Sequence, residues 1–387
     1  MLYSSAVGQP GSVLKAMQII NIRWDRILVT LTLLMGLVGV GMVALATAED
    51  PWTFSDLAMR QLIFWALGVA IIWIVSRIDY RFLCRHSWWL YGAVFVLLVI
   101  TLLHGKIAGG SQRWIEYGSI RIQPSEFAKL ALVFALADTA MRVRQMVGWF
   151  WASLAGILIA LPMMALIMLQ PDLGTALVFL AIWIGALFIG GITMRILVGY
   201  IIGGILLIPI MLPFLKDYQR ERLLGFLHPE SDPRGAGWQV TQSKTAIGHG
   251  GLFGQGLFRG THHTLGYVPG QHTDFIFAVI AEETGVVGAG LVLLGLFAIL
   301  LTGLAVSEVT DDLLGKLVAG GIIGMLAFQV IVNVGITLGL MPVTGIPLPF
   351  ISYGGSAFLT NSAAIGVLVS IYRHAATKGR MMLIRGL

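Results

Sequence analysis

The sequence predicts an all-α polytopic membrane protein: about ten transmembrane helices, with one long extracytoplasmic loop between helices seven and eight. Composition is the first reason. Hydrophobic residues make up 57% of the 387-residue chain, charged residues only 11%, and mean hydropathy is +0.87; soluble domains carry about a quarter charged residues. Apolar runs are the second. A helix needs about 20 predominantly apolar residues to cross the hydrocarbon core. Such runs lie at roughly 27–47, 60–77, 88–104, 126–141, 150–169, 173–192, 196–215, 275–304, 317–340 and 350–372. The third is where Lys and Arg fall. Lys15, Arg23, Arg26, Arg77, Arg81, Arg85, Arg142, Arg144, Arg195, Lys316, Arg373, Lys378, Arg380 and Arg385 lie on one side of these spans, against Arg60, Lys106, Arg113 and Arg121 on the short connections of the other. Basic residues concentrate in cytoplasmic connections, so both termini are expected in the cytoplasm and the loop at about 216–274 outside.

The chain therefore divides into a cytoplasmic tail over 1–26, a membrane domain over 27–372 and a second cytoplasmic tail over 373–387. The first span ends in Ala44-Leu45-Ala46-Thr47-Ala48, which imitates a signal-peptidase site. Its apolar run exceeds an ordinary signal core and further spans follow, so an uncleaved anchor is expected. Cys84 is the single cysteine and forms no intrachain disulfide. Stability must come from helix packing, and the 48 glycines suit close approach between helices in lipid. The net charge of +6 fits this topology and contact with anionic membrane lipid; nothing points to nucleic acid.

Ionisable residues in or beside apolar spans carry the functional signal, since each costs roughly 2.5–3.5 kcal/mol on insertion scales. Glu126 and Lys129 stand at i and i+3 on one helical face and can neutralise each other. They read as a buried structural ion pair or as a polar patch in a cavity for a charged substrate. Asp138 lies near the cytoplasmic end of the same span and reads as interfacial. Pro124 and Ser125 open that helix, with Ser125 also able to cap it. A helix N-terminus directed outward attracts anions, and Arg113 and Arg121 nearby would add to the attraction. Asp172, in Gln170-Pro171-Asp172-Leu173, reads as an N-cap of the sixth span.

The outer loop opens with Lys216-Asp217-Tyr218-Gln219-Arg220-Glu221-Arg222, which suggests an interfacial helix, and turns glycine-rich from Gly235 to Gly266. The cluster Gly248 to Gly256 reads as turns, or as backbone free to approach another backbone or a phosphate. His228, His249, His262, His263 and His272 lie in this loop without the spacing of a zinc site. Asp274 marks its end, where polar sequence gives way to an apolar helix. A carboxylate there is partly stripped of water, so it is the expected catalytic group. It is also the one residue placed to share a divalent cation, magnesium or manganese, with substrate phosphates.

Arg113-Trp114, Gln123-Pro124-Ser125-Glu126-Phe127-Ala128-Lys129, Gln170-Pro171-Asp172-Leu173-Gly174-Thr175, Gln242-Ser243-Lys244-Thr245-Ala246-Ile247-Gly248, His272-Thr273-Asp274-Phe275-Ile276-Phe277-Ala278 with Glu282-Glu283, and Pro347-Leu348-Pro349-Phe350-Ile351-Ser352-Tyr353-Gly354-Gly355-Ser356 resemble, in order, the SEDS family (shape, elongation, division, sporulation) of bacterial cell-wall proteins. Pro229-Glu230-Ser231-Asp232-Pro233 and Pro342-Val343-Thr344-Gly345-Ile346-Pro347 are most similar to its elongation (RodA) branch; the division (FtsW) branch is the near alternative. Gly270-Gln271 stands where relatives often have Pro-Glu, and Ala357 where many have a second serine.

The resemblance implies a peptidoglycan glycosyltransferase that polymerises lipid II at the outer face of the bacterial cytoplasmic membrane. It would work with the elongation machinery and a class B penicillin-binding protein. It implies Asp274 as the essential acid and Glu126 with Lys129 as a cavity pair. Arg113, Trp114, Ser125, Asp172, Arg222, Lys244 and His272 are assigned with them to substrate binding. Diphosphate is a good leaving group, so one carboxylate as general base and a few cations can suffice; Lys129, Arg113 and Arg222 are the candidate diphosphate holders. A transporter or flippase of lipid-linked sugars is the competing class. Against it, the polar groups gather toward the outer face and the cytoplasmic connections are short.

Overall fold

The computed structural model describes residues 23–48, 55–108, 111–117, 120–211, 222, 225–226, 235–260 and 270–385. The helices are α1 (Trp24–Thr47), α2 (Asp56–Val75), α3 (Tyr80–Arg85), α4 (Ser87–His104), α5 (Pro124–Val147), α6 (Trp149–Leu169), α7 (Leu173–Gly190), α8 (Met194–Met211), α9 (Ala236–Gly250), α10 (Ile276–Val309), α11 (Leu313–Thr337) and α12 (Gly355–Arg385). Between α4 and α5 lie strands β1 (Lys106–Ala108), β2 (Ser111–Tyr117) and β3 (Ile120–Ile122), an antiparallel sheet in the order β1-β2-β3.

Eight of these helices are long and apolar enough to cross a membrane. The remaining two expected spans are α5, diluted by Glu126, Lys129, Asp138, Arg142 and Arg144, and α8, whose apolar stretch Met194–Gly204 is shorter. The chain is thus a polytopic all-α membrane protein. The last span starts later than expected: residues 350–354 form a turn, and α12 begins only at Gly355. The anchor helix α1 is an integral part of the bundle, burying Leu28, Thr32, Gly36, Val40 and Val43.

At the centre stands α5. Every residue from Pro124 to Asp138 except Phe127 is buried, and the helix touches α4, α6, α7, α11 and α12. Its alanines, from Ala128 to Ala140, allow neighbours on all sides. Asp138, near the expected cytoplasmic end of this helix, is packed against protein. It is 5% exposed and bonded to Arg142 at 3.0 Å, so the cation at i+4 compensates for its burial.

Helices α7 and α11 cross closely. A Cβ on Gly185 would lie 2.5 Å from the Gly320 carbonyl, and one on Gly320 2.5 Å from the Gly185 carbonyl. Lipid tails are as apolar as side chains, so dispersion at such small-residue contacts, rather than hydrophobicity, joins membrane helices.

The glycine-rich stretch after Gly235 is not mainly turn. Ala236–Gly250 forms α9, which packs on α10 and α11, and residues 251–260 are irregular. That irregular stretch docks on a break in α10 at Gly285, where φ is +67°. The break leaves backbone groups open, and the loop fills them. Gln255 N and Gly256 N donate to the Glu282 and Glu283 carbonyls (3.0 and 3.1 Å), while Val286 N and Val287 N donate to the Gly251 and Leu252 carbonyls (3.0 and 3.2 Å). The Gln255 and Gly256 amides are thus spent on protein, and the cluster supplies the turn at 251–253 and a close approach of backbone to backbone. The interfacial helix expected at 216–222 lies outside the described residues apart from Arg222, as do His228, His262 and His263.

Replacing Gly320 by Leu forces α7 and α11 apart against carbonyl oxygen. We expect a loss of roughly 1–3 kcal/mol or more, read as a lower melting temperature of the detergent-solubilised protein, whereas Gly92→Leu, in open space on α4, leaves it within a degree or two of the parent.

Candidate active site

Asp274 lies two residues before α10, in a turn opened by Gly270 at φ +63° and closed by Thr273 N and Phe275 N donating to the Gly270 carbonyl (2.9 and 3.3 Å). Behind it the chain dives into the core, with Phe275 to Glu283 all buried. The turn is tied to α1 by Gln271, whose Nε2 donates to the Ala46 carbonyl at 2.7 Å. A glutamine in place of an acid therefore has a structural task here.

The Asp274 side chain is half-buried. Desolvation pushes its pKa above the ordinary carboxylate range; the Arg222 and Arg113 charges pull it down and the Asp172 charge pushes it up. The structure thus assembles four candidates named from sequence, Asp274, Arg113, Arg222 and Asp172, from four separate segments. The loop after α11 passes beside the carboxylate, and a Cβ on Gly345 would sit 3.7 Å from Asp274 Oδ2.

The two guanidiniums are themselves anchored. Arg113, on β2, donates through Nε to the Gln170 carbonyl (3.4 Å) and through Nη2 to the Pro171 carbonyl, and its Nη1 lies 3.6 Å from Asp172. Asp172 caps α7 as expected, accepting from Thr175 N (3.1 Å) and Thr175 Oγ1 (2.9 Å). Arg222 donates to the Val343 carbonyl at 3.1 Å. Arg121 does not join them: it pairs with Glu116, its cross-strand neighbour, at 2.6 Å and is largely exposed.

Glu126 and Lys129 form the expected pair at 2.7 Å, both almost fully buried in the first turns of α5. Ser125 does not cap that helix. Gln123 is the capping residue and uses no side chain; its N–H is taken by Ser356 Oγ at 3.1 Å, while Ser125 is buried at the second helical position. His272 is half-buried beside Tyr353, with ring centroids 5.8 Å apart, and burial lowers its pKa. It is therefore neutral at pH 7. Trp114 is half-buried on β2, in register with Lys106, and Lys244 is exposed on α9 with its stem over Gly339. Neither is among the charges acting on Asp274.

A cation held by protein ligands alone fits this donor set poorly. No group of three or more His, Cys, Asp or Glu suited to a metal occurs among the described residues. Asp274 lies in the field of two guanidiniums, and Asp172 is already committed to Thr175 and Arg113.

Sequence reasoning missed Asn333, Ser352 and Tyr353, which hold the backbone of the Asp274 turn. Asn333 carried a readable signal, as a polar residue inside an apolar span.

A family profile described as "Cell cycle protein", for FtsW, RodA and SpoVE, matches residues 23–377. The chain is 38% identical over 357 residues to the peptidoglycan glycosyltransferase MrdB of Escherichia coli K12, covering 91% of this chain and 95% of that protein. Among solved structures it is similar to a chain of a peptidoglycan synthase complex described as coordinating polymerization and crosslinking, with a TM-score of 0.76, 34% identity, and 90% and 97% of the two chains covered. It is also similar to the rod shape determining protein RodA of Thermus thermophilus, with a TM-score of 0.66, 30% identity, and 89% and 95% covered. With nearly the whole described length matched, the chain belongs to the FtsW/RodA/SpoVE family of cell cycle proteins, the family its motifs resemble.

Proposed function

We propose that this chain is a peptidoglycan glycosyltransferase of cell elongation, which polymerises lipid II at the outer face of the bacterial cytoplasmic membrane. The observation that carries the reading is the half-buried Asp274 carboxylate set among Arg222, Arg113 and Asp172 at a helix start. The activity named for the E. coli relative supports it.

In this reading Asp274 Oδ accepts the proton of the acceptor sugar hydroxyl. The hydroxyl oxygen bonds to C1 of the donor sugar as the C1–O bond to diphosphate breaks, and undecaprenyl diphosphate leaves. Negative charge grows on the diphosphate, and Arg222 and Arg113 supply fixed positive potential as it does so. Neutral His272 adds no competing charge. The membrane orientation follows the distribution of Lys and Arg, with both termini cytoplasmic and the Asp274 end outside. A class B penicillin-binding protein is the proposed partner, by analogy with the solved synthase complex.

With purified, partner-bound protein and lipid II, Asp274→Asn is expected to cut glycan-strand formation by roughly 10²–10⁴-fold, the usual contribution of a general base. Polymerisation at the parent rate would rule the assignment out. The base must be ionised, so the rate falls as pH drops through its pKa, and burial places that limb above the ordinary carboxylate value of about 3.9. Removing the Arg222 charge raises the pKa further. Arg222→Gln therefore shifts the acid limb of kcat/KM toward higher pH; a shift toward lower pH contradicts the assigned field.

A further inference from the structure

The turn that carries Asp274 is held from outside itself. Three consecutive carbonyls, those of His272, Thr273 and Asp274, accept hydrogen bonds from Tyr353 N (2.9 Å), Ser352 Oγ (2.6 Å) and Asn333 Nδ2 (3.0 Å). The donors come from a different part of the chain, the end of α11 and the loop before α12.

Asn333 lies about one turn before the end of α11 and is fully buried. Its carboxamide NH2 also donates to the Ile346 carbonyl at 2.9 Å, while its Oδ1 accepts no hydrogen bond. The side chain is thus used purely as a two-pronged donor. One prong fixes the backbone of Asp274, and the other fixes the strand of loop that carries Gly345 past the Asp274 carboxylate. A polar side chain in a membrane helix with an unsatisfied oxygen is a poor choice for packing alone.

Ser352 makes the second hold. Its Oγ donates to Thr273 and accepts from Leu348 N (2.8 Å), and its carbonyl accepts from Gln61 Nε2 on α2 (3.2 Å). The carboxylate is therefore referenced through two side chains to α11 and α2, and not to its own turn alone.

We propose that Asn333 and Ser352 are positioning residues for Asp274. They set the height and direction of the carboxylate without touching the reacting atoms. This rests on the general-base reading of Asp274. A misplacement of about 1 Å in such a group can cost on the order of 10²-fold in rate.

The test measures kcat and KM for lipid II in the full-length, partner-bound enzyme carrying Asn333→Leu, Ser352→Ala, Ser352→Thr or Asp274→Asn. The expected result is that Asn333→Leu and Ser352→Ala lose roughly 10- to 100-fold in kcat with KM within about threefold of the parent. Ser352→Thr, which keeps the hydroxyl, regains most of the loss. If Asn333→Leu does not fold, the two Ser352 variants decide the matter. Losses confined to KM, or Ser352→Thr no better than Ser352→Ala, overturn the proposal. An inactive Asp274→Asn beside Asn333→Leu and Ser352→Ala at parent kcat overturns positioning alone, whereas an Asp274→Asn enzyme at parent kcat overturns the general-base reading and positioning with it.

Discussion

At membrane depth a backbone amide or carbonyl with no protein partner costs several kcal/mol, because lipid offers no hydrogen bond in exchange. Much of this fold follows from meeting that demand wherever a helix is interrupted. The break in α10 at Gly285 is tolerated because residues 251–256 supply two donors and two acceptors to it. The same logic governs the mouth of the bundle. Ser356 takes the Gln123 amide ahead of α5, Asp172 takes the Thr175 amide of α7, and Asn333 and Ser352 take the carbonyls ahead of α10. A site made from helix ends needs this many side-chain partners, which is why so many polar residues sit in so apolar a chain.

Helix ends also bring charge. The N-termini of α5, α7, α10 and α12 lie at the Asp274 end of the bundle, and each carries the positive end of a helix dipole. With Arg113 and Arg222 they make a mouth suited to an anionic head group, in which a single carboxylate can stay functional. Arg113 is rigid there because two carbonyls and Asp172 hold it. A guanidinium fixed before substrate arrives needs little reorganisation as charge develops, and that is how such groups contribute most.

The spans were legible because apolar runs of helical length report on lipid, and α5 was legible despite its charges because Glu126 and Lys129 fall on one face. What was not legible depended on tertiary partners. Helix α9 contains Gly237, Gly248 and Gly250, which argue locally for turns; Gly250 is there because a Cβ would collide with the Ala281 carbonyl. Strand register could not be read either. Arg113 and Arg121 looked equivalent in sequence, yet the pairing of β2 with β3 sets Arg121 opposite Glu116, while Arg113 reaches α7. Asp274 itself stood out, because a carboxylate at the edge of an apolar helix is rare for a physical reason. The residues that aim it are neutral, and charge-based reasoning passes over them.

The buried ion pair on α5 bears on how these parts act together. Glu126 and Lys129 neutralise each other at 2.7 Å, so the pair brings hydrogen-bonding capacity but no net charge to the core. Replacing it by apolar residues would often be neutral for stability, and an explanation resting on stability alone is therefore weak. Position supplies a better one. The pair sits at the start of the helix that everything else surrounds, directly after the strands that carry Arg113 and the Gln123 amide held by Ser356 of α12. The sheet that carries Arg113 runs straight into α5, and Ser356 ties the start of α5 to α12. Both side chains are almost fully buried, and the pair, neutral as a whole, leaves the field that Arg113 and Arg222 impose on Asp274 undisturbed.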